Sequence, residues 1–335
     1  MKSGPEHILV IRLKAIGDVL FTLPAVHALR ESFPDAKISF LVSRENAPLL
    51  QGFRDLDDII TLDRARLKRG NPFAAIAEIL SLIRRLRREK YSLVVDLQGY
   101  VETAALSWWS RAPRRWGSVY NTGRRWAYTR GVTRDYGLHP IDWNLFLLRE
   151  CGLATGTSRN EFALPEAALA EALNFFNANQ LSPDAPTLFL QTFTSSPVKN
   201  WPLENYLAVA RDGRARGWQI IFGGGPAERA ALEPARQDGF AVAAGQPLLV
   251  SAGLMKLSTL ILGGDTGLPH LAMALGKRVL LIMHSNRAGA CVPFQHPEWT
   301  VTPSATGKLS DISVASVKTA CAQAFSEQTQ TSKPN

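Results

Sequence analysis

Ile8-Leu9-Val10-Ile11-Arg12-Leu13-Lys14-Ala15-Ile16-Gly17-Asp18-Val19-Leu20 compresses a buried strand, a tight turn and a single acid into one short stretch. The apolar run 8–13 lacks the alternation of a strand with one wet face, and reads as a parallel strand covered on both sides. Gly17 permits the turn, after which Asp18 opens a helix and can cap its free N–H groups. Open α/β sheets bind ligands beyond the carboxyl ends of their strands, so the same carboxylate faces a binding crevice. Capping and accepting a proton are compatible roles. Leu20, Leu23, Val26, Ala28 and Leu29 continue an apolar helical face, and Pro24 is expected to start or kink that helix.

The alternation of strand and helix continues outward from this stretch. Further strands are expected at 37–42, 58–62, 92–97 and 115–119, which defines a parallel, doubly wound sheet. The intervening helix 73–90 carries Ile76, Ile79, Leu80, Ile83 and Leu86 as one apolar stripe, expected to face the core. Arg84, Arg85, Arg87 and Arg88 crowd its end, where the helix dipole favours cations. Between 152 and 186 the composition turns to Gly, Thr, Ser, Asn and Pro around a helix at 165–179, and a domain boundary is placed there. Strands then resume at 187–191, 219–222, 241–244, 259–262 and 278–282. The expected organisation is an N-terminal domain 1–160, a C-terminal domain 161–325 and a fraying polar tail 326–335 after a helix at 314–325.

With 335 residues the chain can bury two α/β cores. A formal charge of +9 implies acidic partners: nucleic acid, anionic lipid or phosphorylated small molecules. Cys151, Cys291 and Cys321 are odd in number and far apart, which fits neither a disulfide framework nor a metal site and points to a reducing compartment. The sequence enters its first strand without a signal-peptide apolar region, and no run reaches the roughly 18 apolar residues of a membrane span. Asp55-Leu56-Asp57-Asp58 has an Asp-x-Asp spacing but reads as a polar turn, since no further ligands accompany it.

Four stretches carry the chemistry. Asp96-Leu97-Gln98-Gly99 ends a strand at the same rim as Asp18, and is followed by interleaved cations and aromatics from Trp108 to Arg134. That interleaving suits a single-stranded nucleic acid, a phosphorylated glycolipid or a solvated basic surface. Thr192-Phe193-Thr194-Ser195-Ser196-Pro197-Val198-Lys199 offers hydroxyls and an ammonium in one loop, which can hold phosphate oxygens. Gly223-Gly224-Gly225-Pro226-Ala227-Glu228 allows close approach by a ligand and lacks the dinucleotide GxGxxG spacing; Glu228 can accept from ribose hydroxyls. Gly263-Gly264-Asp265-Thr266-Gly267-Leu268-Pro269-His270 sets an anion site at a helix start, with Asp265 turned to a ribose, an amine or Lys199.

Taken in order, these motifs resemble the ADP-heptose:lipopolysaccharide heptosyltransferases of glycosyltransferase family 9 over nearly the whole chain. The resemblance rests on Arg-Leu-x-x-Ile-Gly-Asp-Val-Leu at 12–20, the stretch 91–99, Lys-Asn-Trp-Pro at 199–202, Gly-Gly-x-Pro-x-Glu at 223–228 and Gly-Asp-Thr-Gly-x-x-His-Leu-Ala at 264–272. It implies the metal-independent GT-B architecture, two Rossmann-like domains facing across a cleft, with acceptor on the N-terminal half and nucleotide sugar on the C-terminal half. By this resemblance Asp18 is the general base, Thr194, Ser195 and Lys199 hold the diphosphate, and Glu228 meets the ribose. Asp265, Thr266, Gly267 and His270 complete the donor pocket. Arg12, Gln98, Arg124 and Arg125 are expected to contact an anionic glycolipid acceptor such as phosphorylated Kdo–lipid A.

Inverting transfer from ADP-heptose without cofactor or metal is the implied reaction, in the cytoplasm and at the periphery of the inner leaflet. Nucleic acid is not expected as a partner. Met283-His284-Ser285-Asn286-Arg287-Ala288-Gly289 stands where the family commonly has Phe-Gly-Pro-Thr-Asp-Pro, beside the transferred sugar. Another nucleotide sugar, a nucleotide-sugar 2-epimerase and a non-catalytic binder of anionic polymers are the alternative readings.

Overall fold

The computed structural model describes residues 6–69, 71–156, 159–304 and 307–331. The chain divides into two compact units, Met1–Glu161 and Phe162–Asn335. In the first, β1 (His7–Ile11), β2 (Lys37–Ser43), β3 (Asp58–Leu62), β4 (Leu93–Asp96), β5 (Arg114–Val119) and β6 (Arg130–Thr133) form one sheet in the order β3-β2-β1-β4-β5-β6. In the second, β7 (Thr187–Gln191), β8 (Gln219–Gly224), β9 (Ala241–Ala244), β10 (Leu260–Gly264), β11 (Arg278–Ile282) and β12 (Thr300–Val301) follow the order β12-β11-β10-β7-β8-β9. Every pairing is parallel. Both orders reverse direction once, between β1 and β4 in the first sheet and between β7 and β10 in the second. These are the switch points where a doubly wound sheet opens a crevice.

Register then decides which residues emerge there. Ile11 lies opposite Asp96, and Gln191 lies opposite Gly263, so the strand ends are level at both switch points. The loops at 12–18 and 97–100 leave one crevice side by side, and those at 192–199 and 265–270 leave the other.

The helix after β1 is split. A short turn, Ile16–Leu20, is followed by Leu23–Ser32, with Pro24 in the first turn of the second segment, where its missing N–H costs nothing. Asp18 therefore sits inside the first segment rather than capping it; the cap position belongs to Ala15. The helix Pro72–Arg88 packs Leu82, Ile83 and Leu86 against Leu9, Ile11, Leu41 and Val94. Each fully buried side chain of this kind contributes about 2 kcal/mol. Ile76 and Leu80, expected on that buried stripe, instead face outward. In the second unit Leu188, Leu190, Phe222, Leu262 and Leu280 pack with Trp201, Tyr206, Val317 and Phe325.

The last helix runs Val314–Thr331, beyond the expected end at 325. Its extra turn is tied by Gln323 donating to Glu327 at 2.8 Å and by an Arg278–Glu327 ion pair. The remainder of the expected tail, 332–335, lies outside the described residues. Among the described residues no helix is long and apolar enough to cross a membrane.

Candidate active site

At the first switch point the chain after β1 is held from both sides. Leu13 N–H donates to Gln98 Oε1 at 2.8 Å, while the Leu13 carbonyl accepts from Ser43 Oγ at 2.6 Å and Asn46 Nδ2 at 3.0 Å. All three side chains are buried. Buried Arg12 donates to the Leu97 carbonyl at 2.8 Å and the Lys14 carbonyl at 3.1 Å, and its Nη2 meets Asp18 Oδ2 at 2.7 Å. Burial alone would lower the Arg12 pKa, but Asp18 and the Tyr120 hydroxyl outweigh it and raise it. Asp18 Oδ2 also accepts the Ala15 N–H at 3.2 Å, as an acid at the third helical position does in a capping box. The Asp18 side chain is 40% exposed, and its Oδ1 takes no hydrogen bond among the described residues. One carboxylate oxygen is anchored and the other is open.

Two residues expected at this rim turn inward. Asp96 is fully buried: Oδ1 accepts the N–H groups of Gln98 and Gly99, both at 2.9 Å, and Oδ2 accepts the Tyr128 hydroxyl at 2.7 Å. Burial raises its pKa, partly offset by these donors. Gln98, expected to contact the acceptor, is likewise fully buried and instead supports the loop after β1. The turn that follows them requires Gly99, with φ of +69° and a Cβ position only 2.0 Å from the Ser118 carbonyl oxygen.

Arg124 donates to the Gly99 carbonyl at 3.0 Å, and Arg125 is exposed. A cation not singled out by sequence lies nearer the acid. Arg134 feels the charges of both Arg12 and Asp18, and its guanidinium stands 4.8 Å from the Trp143 ring and 5.9 Å from the Tyr136 ring. Its Nε and Nη1 are enclosed without a hydrogen-bond partner among the described residues. Burial, with help from Arg12, lowers its pKa. An enclosed guanidinium with two N–H groups unpartnered has unmet capacity to hydrogen-bond an anion. The only signal in the sequence is its place at the end of the cationic, aromatic run.

At the second switch point Thr194 orders its own loop. Its N–H donates to Asn200 Oδ1 at 2.8 Å, and its hydroxyl lies 2.8 Å from the Ser196 carbonyl oxygen. Ser195 is exposed. A Cβ at Gly264 would lie 2.7 Å from Thr194 Cγ2, so glycine there lets the loops after β7 and β10 touch. Lys199 Nζ consequently reaches Asp265 Oδ2 at 2.7 Å, and His270 Nε2 lies 3.3 Å from Asp265 Oδ1. The bond to Asp265 raises the Lys199 pKa. Burial pushes Asp265 upward, but hydrogen bonds from His270 and Lys199 prevail and hold it at about 2.

Thr266 occupies the cap of the helix Gly267–Ala274 without a side-chain capping bond, which leaves its hydroxyl available. Glu228 ends a short turn, Pro226–Glu228, and folds back over Gly225. A cavity of about 330 Å³ is lined by Lys199 and Asp265 together with Met283, His284, Ser285 and Cys291. His284 Nε2 donates to the Val198 carbonyl at 2.9 Å, which ties the divergent segment 283–289 to the lysine loop.

The Asp55–Asp58 acids do not converge. Asp55 meets His27 at 3.0 Å, Asp57 meets Arg30 at 2.5 Å and Asp58 meets Arg85 at 3.0 Å. Hydrogen bonding to His27 and ion pairs with Arg30 and Arg85, rather than solvation alone, account for them.

Two Rossmann-like sheets, one presenting an open carboxylate and the other a hydroxyl-lysine loop against a helix start, define a GT-B type glycosyltransferase. Residues 79–305 match the sequence model of glycosyltransferase family 9 (heptosyltransferase), and the chain belongs to that family. It is 24% identical to lipopolysaccharide heptosyltransferase 3 of Escherichia coli K12 over 63% of this chain; the match spans 60% of that relative, less than two thirds of its length. It is 24% identical to lipopolysaccharide heptosyltransferase 1 of Pseudomonas aeruginosa, over 84% of this chain and 79% of that one. The solved structure of the E. coli heptosyltransferase WaaC with ADP-2-deoxy-2-fluoro heptose superposes with a TM-score of 0.76 at 20% identity, covering 95% of this chain and 99% of that one.

The Asp265 carboxylate gives this site a pH signature. Its native pKa of about 2 lies below the ordinary 3.8, so the stability it contributes is complete above the ordinary value and is lost as pH falls towards 2. In urea unfolding, the stability gap between the wild type and Asp265→Asn is expected to hold at about pH 5 and to shrink towards about pH 3. A gap that stays constant across that range would remove the ionised Asp265 from the energetics of the site.

Proposed function

We propose that this family 9 glycosyltransferase moves a heptose from ADP-heptose onto the inner core of lipopolysaccharide, with Asp18 as the general base. The observation that carries the reading is the asymmetry of the Asp18 carboxylate: Oδ2 is fixed by Arg12 and Ala15, and Oδ1 is open beside a switch point. In the reaction an acceptor hydroxyl gives its proton to Oδ1 as its oxygen bonds to the anomeric carbon. The bond from that carbon to the β-phosphate oxygen breaks, and its electron pair leaves with ADP. One displacement without a covalent intermediate inverts the anomeric configuration, as single displacement does in inverting glycosidases.

The charge gathering on ADP is met by Lys199 and the N–H groups at the start of Gly267–Ala274. Thr194 shapes the phosphate loop, Ser195 and Thr266 offer hydroxyls, Glu228 accepts from the ribose, and Asp265 with His270 orients Lys199. Arg12, expected to contact the acceptor, is buried with its nitrogens engaged by Lys14, Leu97 and Asp18, and serves instead as a positioning residue for the base. Arg134 takes a carboxylate or phosphate of the acceptor, with Arg124 and Arg125 further along the same face. The heptosyltransferase names of the relatives and the donor analogue bound in WaaC support the donor and acceptor assignments. A lipid-linked acceptor also sets the reaction at the cytoplasmic face of a membrane.

Transfer is to be followed by mass spectrometry with ADP-heptose and deacylated Kdo–lipid A. Asp18→Asn is expected to lower kcat by about a hundredfold or more while the Kd for ADP changes little. Near-normal turnover would take Asp18 out of the chemistry. Arg134→Gln is expected to raise the acceptor KM by about tenfold with the donor KM unchanged, and Arg134→Lys to recover part of the loss. An unchanged acceptor KM would show that Arg134 does not meet the acceptor.

A further inference from the structure

The helix Pro72–Arg88 has a second face that the core does not use. Phe73, Ile76, Ala77, Leu80, Arg84, Arg87 and Arg88 recur at helical spacing and are all exposed, with Phe73 at 81%, Ile76 at 56% and Leu80 at 44%. Along about 25 Å of helix the face is apolar for its first half and cationic for its second. Its one acid, Glu78, is turned away, lying 3.3 Å from the Asp63 N–H and 4.0 Å from Arg66. Arg84, Arg87 and Arg88 have no carboxylate partner among the described residues.

The surface continues past the end of the helix. Arg87 Nε donates to the Trp109 carbonyl at 3.0 Å, which sets it beside the helix Val101–Trp109. A cavity of about 350 Å³ there is lined by Arg87, Trp108, Trp109, Arg111 and Arg115. Exposed Trp108 packs edge to face on exposed Trp126 at 5.5 Å, and Arg115 lies 5.3 Å over the Trp108 ring. Exposed apolar residues in a row, unpaired arginines at one end and tryptophans at the polar boundary are the parts of an interfacial membrane anchor.

We propose that this face docks the protein on an anionic lipid bilayer, with Phe73, Ile76 and Leu80 entering the headgroup boundary and the arginines meeting lipid phosphates. Charge complementarity selects a bilayer over a second copy of the chain. A two-fold contact that buried the apolar half would leave the arginine half without a counter-charge. A bilayer offers apolar depth and negative charge together. The purpose of the anchor, delivery of the base to a lipid-linked acceptor, rests on the proposed function; the binding itself does not.

Co-sedimentation of the full chain with vesicles of phosphatidylcholine and phosphatidylglycerol in equal parts tests it, with pure phosphatidylcholine vesicles as the control. The wild type is expected to bind the anionic vesicles at least about tenfold more tightly, and to be released by added salt. The variant Phe73→Ser/Ile76→Ser/Leu80→Ser is expected to lose about tenfold in binding or more with an unchanged melting temperature, and Arg84→Glu/Arg88→Glu to behave likewise. Wild-type binding by the triple variant, or equal binding to both vesicles, overturns the proposal. A dimer in light scattering that the triple variant converts to monomer also overturns it, by making the face a self-association surface. Transfer to the deacylated, water-soluble acceptor should be unaffected in the triple variant. If the wild type shows no transfer at all, the functional reading fails while the vesicle result still stands.

Discussion

The ion pair between Arg12 and Asp18 is the constraint around which the first unit is arranged. A guanidinium at the carboxyl end of a central strand needs acceptors for its donors and an anion for its charge. The carbonyls of Leu97 and Lys14 supply the first need and Asp18 the second. Each acceptor follows β1 or β4 at their switch point, so satisfying Arg12 fixes the chain there. Ser43, Asn46 and Gln98 complete the restraint by holding Leu13. The by-product is a carboxylate with one oxygen anchored and one exposed. Fixed at that oxygen, it is held in place for the base role proposed for it.

The second unit repeats the strand order with opposite chemistry. Its switch point presents a lysine, hydroxyls and a helix start in place of an arginine-held acid. Lys199 rests on Asp265, which His270 supports from its other oxygen. An ammonium has three donors and spends one on Asp265, so the pair aims Lys199 without exhausting it. Gly264 is the steric condition for this contact, since any side chain there would push the two loops apart. One topology thus presents an arginine-held carboxylate in one unit and a carboxylate-held lysine in the other, and the difference lies in the residues that follow the strand ends.

Much of this was legible because buried parallel strands are near-continuous apolar runs. β3, β7, β9 and β11 fall at their expected limits, and the others shift by a residue or two. β6 and β12 were not legible: Arg130-Gly-Val-Thr and the two-residue Thr300-Val301 are edge strands with too little apolar content to stand out. Asp96 and Gln98 looked like rim residues because polar side chains usually remain in solvent. Tyr128 and the N–H groups of Gln98 and Gly99 draw Asp96 inward, and the Leu13 N–H does the same for Gln98. Periodicity found an apolar stripe on the helix Pro72–Arg88 but could not say which part a sheet would cover. Ile79, Leu82, Ile83 and Leu86 are packed while Phe73, Ile76 and Leu80 are not. The closeness of Arg134 to Asp18 is a tertiary fact with no local sequence pattern to announce it.

Hydrogen exchange of the full chain with and without ADP tests most directly whether the two switch points have separate tasks. Amides of 192–200, 224–228 and 264–270 are expected to slow on saturation with ADP, because their N–H groups and side chains would then be held by the nucleotide. Those of 12–20 and 96–100 are expected to exchange as before. Protection confined to the β1 and β4 loops, or none in the loops after β7 and β10, would contradict the assignment of the anion site to the second unit and with it the role given to Asp18.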